Sequence, residues 1–152
     1  MSASWIALAV LFISRHAAPM PVALRFHLRP GDASTSDLEQ VRAAVRRGFF
    51  SDSSVVSPAD PPDIRRLDAR PSDSTVRSPR GMTVIVDGSV AATGDRVEVQ
   101  LRLLNVLAQP ITRTDTLRFR RVALDSTLEA AGNAYAAALA RRFSNRRPSN
   151  TD

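Results

Sequence analysis

The run MTVIVDGSVAATGDRVEVQLRLLN, residues 82–105, decides the fold of this chain. Residues 82–92 are rich in Val and Ile and run into Thr93-Gly94-Asp95, a turn sequence. Val97, Val99, Leu101 and Leu103 then alternate strictly with Arg96, Glu98, Gln100 and Arg102. Side chains of a strand point to opposite faces in turn, so this alternation builds a β-hairpin with one dry and one wet face. Gly94 supplies the positive φ that a tight turn needs, and Asp95 has a short side chain able to bond its own backbone. Gly88 within a strand marks a bulge or a close backbone approach. Gly88, Ser89, Gly94 and Asp95 therefore read as hairpin residues with structural roles.

Outward from the hairpin the patterning continues. Ala108-Gln109-Pro110 forms a second turn, and residues 111–120 make a third strand with Leu117 and Phe119 pointing inward. Three consecutive strands on short turns give an antiparallel meander. Upstream, Val22, Leu24, Phe26 and Leu28 alternate as a half-buried strand that Pro30-Gly31-Asp32 stops. Ser36 and Glu39 have capping-box spacing, and Leu38, Val41, Val45 and Phe49 then fall on one helical face, with Gly48 as the expected C-terminal breaker. Val55-Val56 is a brief second strand. Downstream, Ser126 and Glu129 repeat the capping-box spacing, and Leu124, Leu128, Ala131, Tyr135, Leu139 and Phe143 fall on one stripe. The pattern predicts an α+β fold: a two-layer sandwich, with a mixed sheet containing the meander and covered by two amphipathic helices.

The remaining segments have different textures. Residues 1–20 form an apolar arm around Trp5–Ile13, too short to span a bilayer, which takes about 20 apolar residues. It reads as an export signal or membrane-anchor remnant; an arm folded against the domain, or a true start at Met20, are the alternatives. Residues 21–144 are the expected domain, and 145–152 a polar, disordered tail. Residues 57–80 carry five prolines among serines, aspartates and arginines, which predicts a long surface loop. The chain has 152 residues, no cysteine and a net charge of +6, so disulfides and zinc–thiolate sites are excluded. Every cation is arginine, which fits a GC-biased genome better than a surface selected for phosphate contact.

Gly88-Ser89-Val90 followed by Gly94-Asp95-Arg96-Val97 and Leu101-Arg102-Leu103-Leu104-Asn105 resembles the core of the TolB-like N-terminal domain, which is related to FlgO-like and CsgG-like domains. The resemblance covers about residues 21–144, with the hairpin as its specific block. The proline-rich stretch departs from the family, which carries a short helix there. The resemblance implies an accessory module without catalysis, making protein–protein contacts at the cell envelope, and it carries over no catalytic residue.

The residues themselves point the same way. The two histidines, His16 and His27, are far apart in sequence and unsuited to a shared metal site. No G-x-S-x-G elbow accompanies the serines, and the six glycines are scattered singly, so no phosphate or cofactor cradle is expected. Asp60, Asp63, Asp68 and Asp73 lack calcium-loop spacing. The arginine doublets, Arg65-Arg66 and Arg120-Arg121 among them, are the candidate contact surface, together with the polar loop and any exposed sheet edge. The expectation is a non-enzymatic interaction module, periplasmic or membrane-associated, with a protein partner and an anionic membrane surface as a further contact. The alternative is a cytoplasmic nucleic-acid-binding module using arginine patches, which the placement of the aromatics on apolar stripes disfavours.

Overall fold

The computed structural model describes residues 18–59 and 82–144. In chain order these form β1 (Met20–Pro30), α1 (Thr35–Phe49), β2 (Val56–Pro58), β3 (Met82–Thr93), β4 (Arg96–Asn105), β5 (Asp115–Arg120), a 3₁₀ turn (Arg121–Ala123) and α2 (Leu124–Ser144). The strands make one mixed sheet in the order β2-β1-β3-β4-β5. β1 runs parallel to β2 and β3, while β3, β4 and β5 are the antiparallel meander. Both helices cover one face, giving the α+β two-layer sandwich. The arm around Trp5–Ile13, Arg65, Arg66, most of the proline-rich loop and the tail lie outside the described residues.

The core follows from the alternation. Val22, Leu24 and Leu28 of β1 join Val84, Val86 and Val90 of β3 and Val97, Val99, Leu101 and Leu103 of β4 on one face. Leu38, Val41, Val45 and Phe49 of α1 and Leu124, Leu128, Tyr135 and Leu139 of α2 close over them. Each fully buried aliphatic side chain contributes about 1.5–3 kcal/mol, so this cluster, rather than any polar contact, holds the two layers together.

The hairpin closes through two residues, because Thr93 pairs with Arg96. Gly94 has φ +59 and Asp95 is not in the left-handed region, the pattern of a type II′ turn whose twist matches the strands. The Asp95 carbonyl, rather than its side chain, is engaged: it accepts the Arg121 N–H at 2.8 Å. The β3–β4 register runs without a break from Val84↔Asn105 to Thr93↔Arg96, so Gly88 marks no bulge. It marks a close approach, since a Cβ there would lie 1.8 Å from the Gln100 carbonyl oxygen.

Four local expectations are corrected. The capping box of α1 is Ser34 with Asp37, not Ser36 with Glu39: the Asp37 N–H donates to Ser34 Oγ at 3.1 Å and the Ser34 N–H returns to Asp37 Oδ2 at 3.1 Å. The start moves two residues upstream because Ser34 holds the extended conformation an N-cap requires. Ser126 and Glu129 do not cap α2, which grows out of the 3₁₀ turn; Ser126 Oγ donates back to the Ala123 carbonyl and Glu129 accepts from Arg47 instead. Gly48 does not end α1. It sits buried in the last turn, one residue before the helix ends at Phe49, where a Cβ would fall 1.9 Å from the Glu129 carbonyl oxygen, so it is the contact point with α2. The third strand begins at Asp115 rather than at residue 111, because Thr112 Oγ1 takes the Leu103 N–H at 2.9 Å and displaces the ladder there.

Candidate interaction surface

The sheet face away from the helices is set by the same register. Strand pairing aligns His27, Asp87 and Arg102 in one row, Ala91, Glu98 and Arg118 in another, and Thr93, Arg96 and Arg120 in a third. One end of this face, at Ala23, Thr83 and Leu104, is buried. The end toward the Gly94 turn and β5 is exposed and strongly basic. Six arginines (Arg25, Arg29, Arg96, Arg102, Arg118 and Arg120) stand on the face against two carboxylates, Asp87 and Glu98.

Both carboxylates are already taken. Arg102 Nε donates to Asp87 Oδ2 at 2.9 Å, and Arg118 Nε donates to Glu98 Oε2 at 2.7 Å. Arg118 holds the Glu98 carboxyl below its ordinary range, by its hydrogen bond first and its charge second. The Arg118–Glu98 pair is exposed and contributes about 0–1 kcal/mol, ordering the side chains more than it stabilises the fold, while Asp87 of the other pair is partly buried. Arg25, Arg29, Arg96 and Arg120 have no ion-pair partner among the described residues. Arg96 and Arg120 stand directly opposite one another on neighbouring strands, an arrangement of like charges that costs free energy. They line an open groove of about 560 Å³ with Thr93, Glu98 and Arg118.

The structure separates the doublet Arg120-Arg121. Arg120 is exposed on the sheet face, whereas the Arg121 guanidinium turns to the Asp37 carboxylate and ties the 3₁₀ turn to the capping box of α1. Adjacent residues near a strand end point to opposite faces, so a doublet does not make a patch. The arginines that do gather are two apart or cross-strand neighbours. Arg96, Arg102 and Arg118 therefore join the basic face without having been singled out from the sequence, although their wet-face positions were legible in the alternation. Gly88, Ser89, Gly94 and Asp95 stay within the hairpin: Ser89 lies between Arg29 and Gln100 on the open face, and the other three shape backbone. Among the described residues no three His, Asp or Glu side chains converge as a metal site, and no helix is long and apolar enough to cross a membrane.

The fold thus defines a two-layer α+β domain with one covered and one basic sheet face. No protein-family model matches the chain, and its sequence matches no curated protein. Among solved structures it is similar to TolB from Acinetobacter baumannii, at 16% identity and a TM-score of 0.41 over 84% of this chain, and it spans 30% of that protein's length. A minor lipoprotein from Acinetobacter baumannii overlaps 82% of this chain and 92% of its own at 15% identity and a TM-score of 0.33. A PelC dodecamer from Paraburkholderia phytofirmans overlaps 82% of this chain and 88% of its own at 19% identity and a TM-score of 0.33.

Proposed function

We propose that this chain is a non-enzymatic protein-interaction module whose contact surface is the basic sheet face, working at the bacterial cell envelope. The observation that carries it is the opposed pair Arg96 and Arg120 lining the groove, without an ion-pair partner among the described residues, on a face where the described arginines outnumber the carboxylates three to one. A surface arranged this way gains free energy when a complementary acidic surface covers it. The envelope setting is supported by the likeness of the Gly88–Val97 hairpin to the TolB-like N-terminal domain. A nucleic-acid partner is disfavoured because the large aromatics of the described strands, Phe26 and Phe119, alternate onto the helix-covered side, Phe119 reaching the groove only at its rim, and Phe49 and Tyr135 are buried.

The test is capture by the immobilised full chain from a solubilised envelope fraction, with Arg96→Glu/Arg120→Glu as the comparison. The expected result is a specific protein retained at low ionic strength and released by the double substitution. Retention of an oligonucleotide with a steep salt dependence, and of no protein, would overturn the proposal.

A further inference from the structure

The two edges of the sheet are not alike. On one side β2 pairs with only Met20–Val22 of β1 and carries Pro58, and farther along β1 the Arg46 guanidinium of α1 donates to the Leu24 carbonyl at 3.3 Å. Shortness, proline and a capped carbonyl are the devices that close an edge to further pairing. On the other side β5 is six residues long, and among the described residues its backbone bonds only to β4.

The register shows which groups that edge offers. The Arg121 N–H donates to the Asp95 carbonyl, so the pair 95/121 is hydrogen-bonded, and hydrogen-bonded pairs alternate along an antiparallel ladder. Phe119 and Leu117 therefore turn their backbone groups toward β4, while Thr116, Arg118 and Arg120 turn theirs outward. The same three residues have side chains on the basic face. Leu117 and Phe119, on the other face, are only partly buried and leave an apolar ledge at the margin of the core.

We infer that β5 is an acceptor for an added strand, and that its ligand is an extended segment in which acidic and apolar residues alternate. Carboxylates two positions apart fall opposite Arg118 and Arg120, and the apolar residues between them extend the ledge of Leu117 and Phe119. A second copy of this chain is a poor occupant: an antiparallel pairing of β5 with itself that keeps the core faces aligned sets arginines opposite or diagonal to arginines. The inference rests on the binding role proposed above and names the partner's chemistry and its seat.

The experiment uses the full chain and a fluorescein-labelled peptide of alternating Val and Glu, followed by anisotropy. Three comparisons accompany it: a peptide of the same composition with its acids in one block, the alternating peptide N-methylated on its bonding edge, and the variant Arg118→Glu/Arg120→Glu, checked by thermal melting to be folded. The alternating peptide binds, and affinity falls about tenfold for the block peptide and for the variant; the N-methylated peptide loses binding because it cannot donate to β5. Equal binding of the N-methylated peptide would reduce the contact to charge alone and overturn the inference. So would a dimer that the peptide does not disperse, or capture of anionic vesicles in place of the peptide. Should an envelope protein be retained by Arg118→Glu/Arg120→Glu but lost from Arg25→Glu/Arg29→Glu, the binding role stands and β5 is not its seat. Failure of both peptide and protein capture removes both.

Discussion

At the scale of the residue, the most consequential polar group is Asp37. Its side chain is 8% exposed, and it closes the capping box with Ser34 while receiving Arg121 from the far side of the meander. The Arg121 hydrogen bond, followed by the Ser34 N–H, holds the Asp37 carboxyl below its ordinary value of 3.8, against a smaller opposing effect of burial. A carboxylate depressed in the folded state adds stability that is present above the unfolded value and lost as pH falls through the folded one. Asp37→Asn is therefore expected to destabilise the chain at neutral pH, and the gap to the parent narrows below about pH 4. Denaturant melts across that range check this; a gap independent of pH would contradict it. The residue scale also shows why the cap was misplaced. Ser34 and Ser36 both precede an acidic residue by three, at Asp37 and Glu39, and spacing alone does not choose between two such frames.

At the scale of the element, the two helices meet backbone to backbone. A Cβ on Gly48 would lie 1.9 Å from the Glu129 carbonyl oxygen, and one on Gly132 would lie 2.2 Å from that of Val45. Arg47 bridges the same crossing from outside, donating to Glu129 Oε1 at 2.8 Å and Asp125 Oδ1 at 3.0 Å. Alanine in place of a glycine in a helix interior, as at Gly132, ordinarily gains about 1 kcal/mol, and less in a last turn, as at Gly48. Here the sign reverses, because backbone cannot rotate out of the way as a side chain can. Gly48→Ala and Gly132→Ala are each expected to cost about 1–3 kcal/mol in chemical denaturation, and the double substitution less than the sum, since the first already forces the helices apart. A gain in stability from either would mean the helices do not cross at these glycines. The amphipathic stripes of both helices were legible from their spacing. The crossing point was not, because a glycine in a helix pattern reads as a breaker until its neighbour across the interface is known.

At the scale of the whole molecule, Tyr135 reports on how the layers are joined. It is the single tyrosine of the chain. Its hydroxyl lies 3.3 Å from Asp115 Oδ2 at the start of β5, so one side chain links α2 to the edge of the sheet. Burial first, and the Asp115 charge second, raise its phenol well above the ordinary value of 10.0. A phenol whose value is raised on folding contributes stability that is full below the unfolded value and is lost as pH rises above it. Phenolate absorbance is thus expected to appear together with loss of the far-ultraviolet circular dichroism, as one alkaline transition. Ionisation near the ordinary value with the dichroism intact would show that α2 does not shield the ring.

Period-two and helical alternation of apolar residues determined the elements, their faces and the α+β sandwich, because burial of one face is a local property of the chain. Gly94 likewise determined the hairpin turn, since a positive φ is a local demand. The tertiary structure alone decided the sheet order, which puts β1 between β2 and β3 and leaves β5 at the rim. It also decided which arginines act together. Arg96 joins Arg118 and Arg120 only through the β4–β5 register, and charge proximity across strands has no trace in linear spacing.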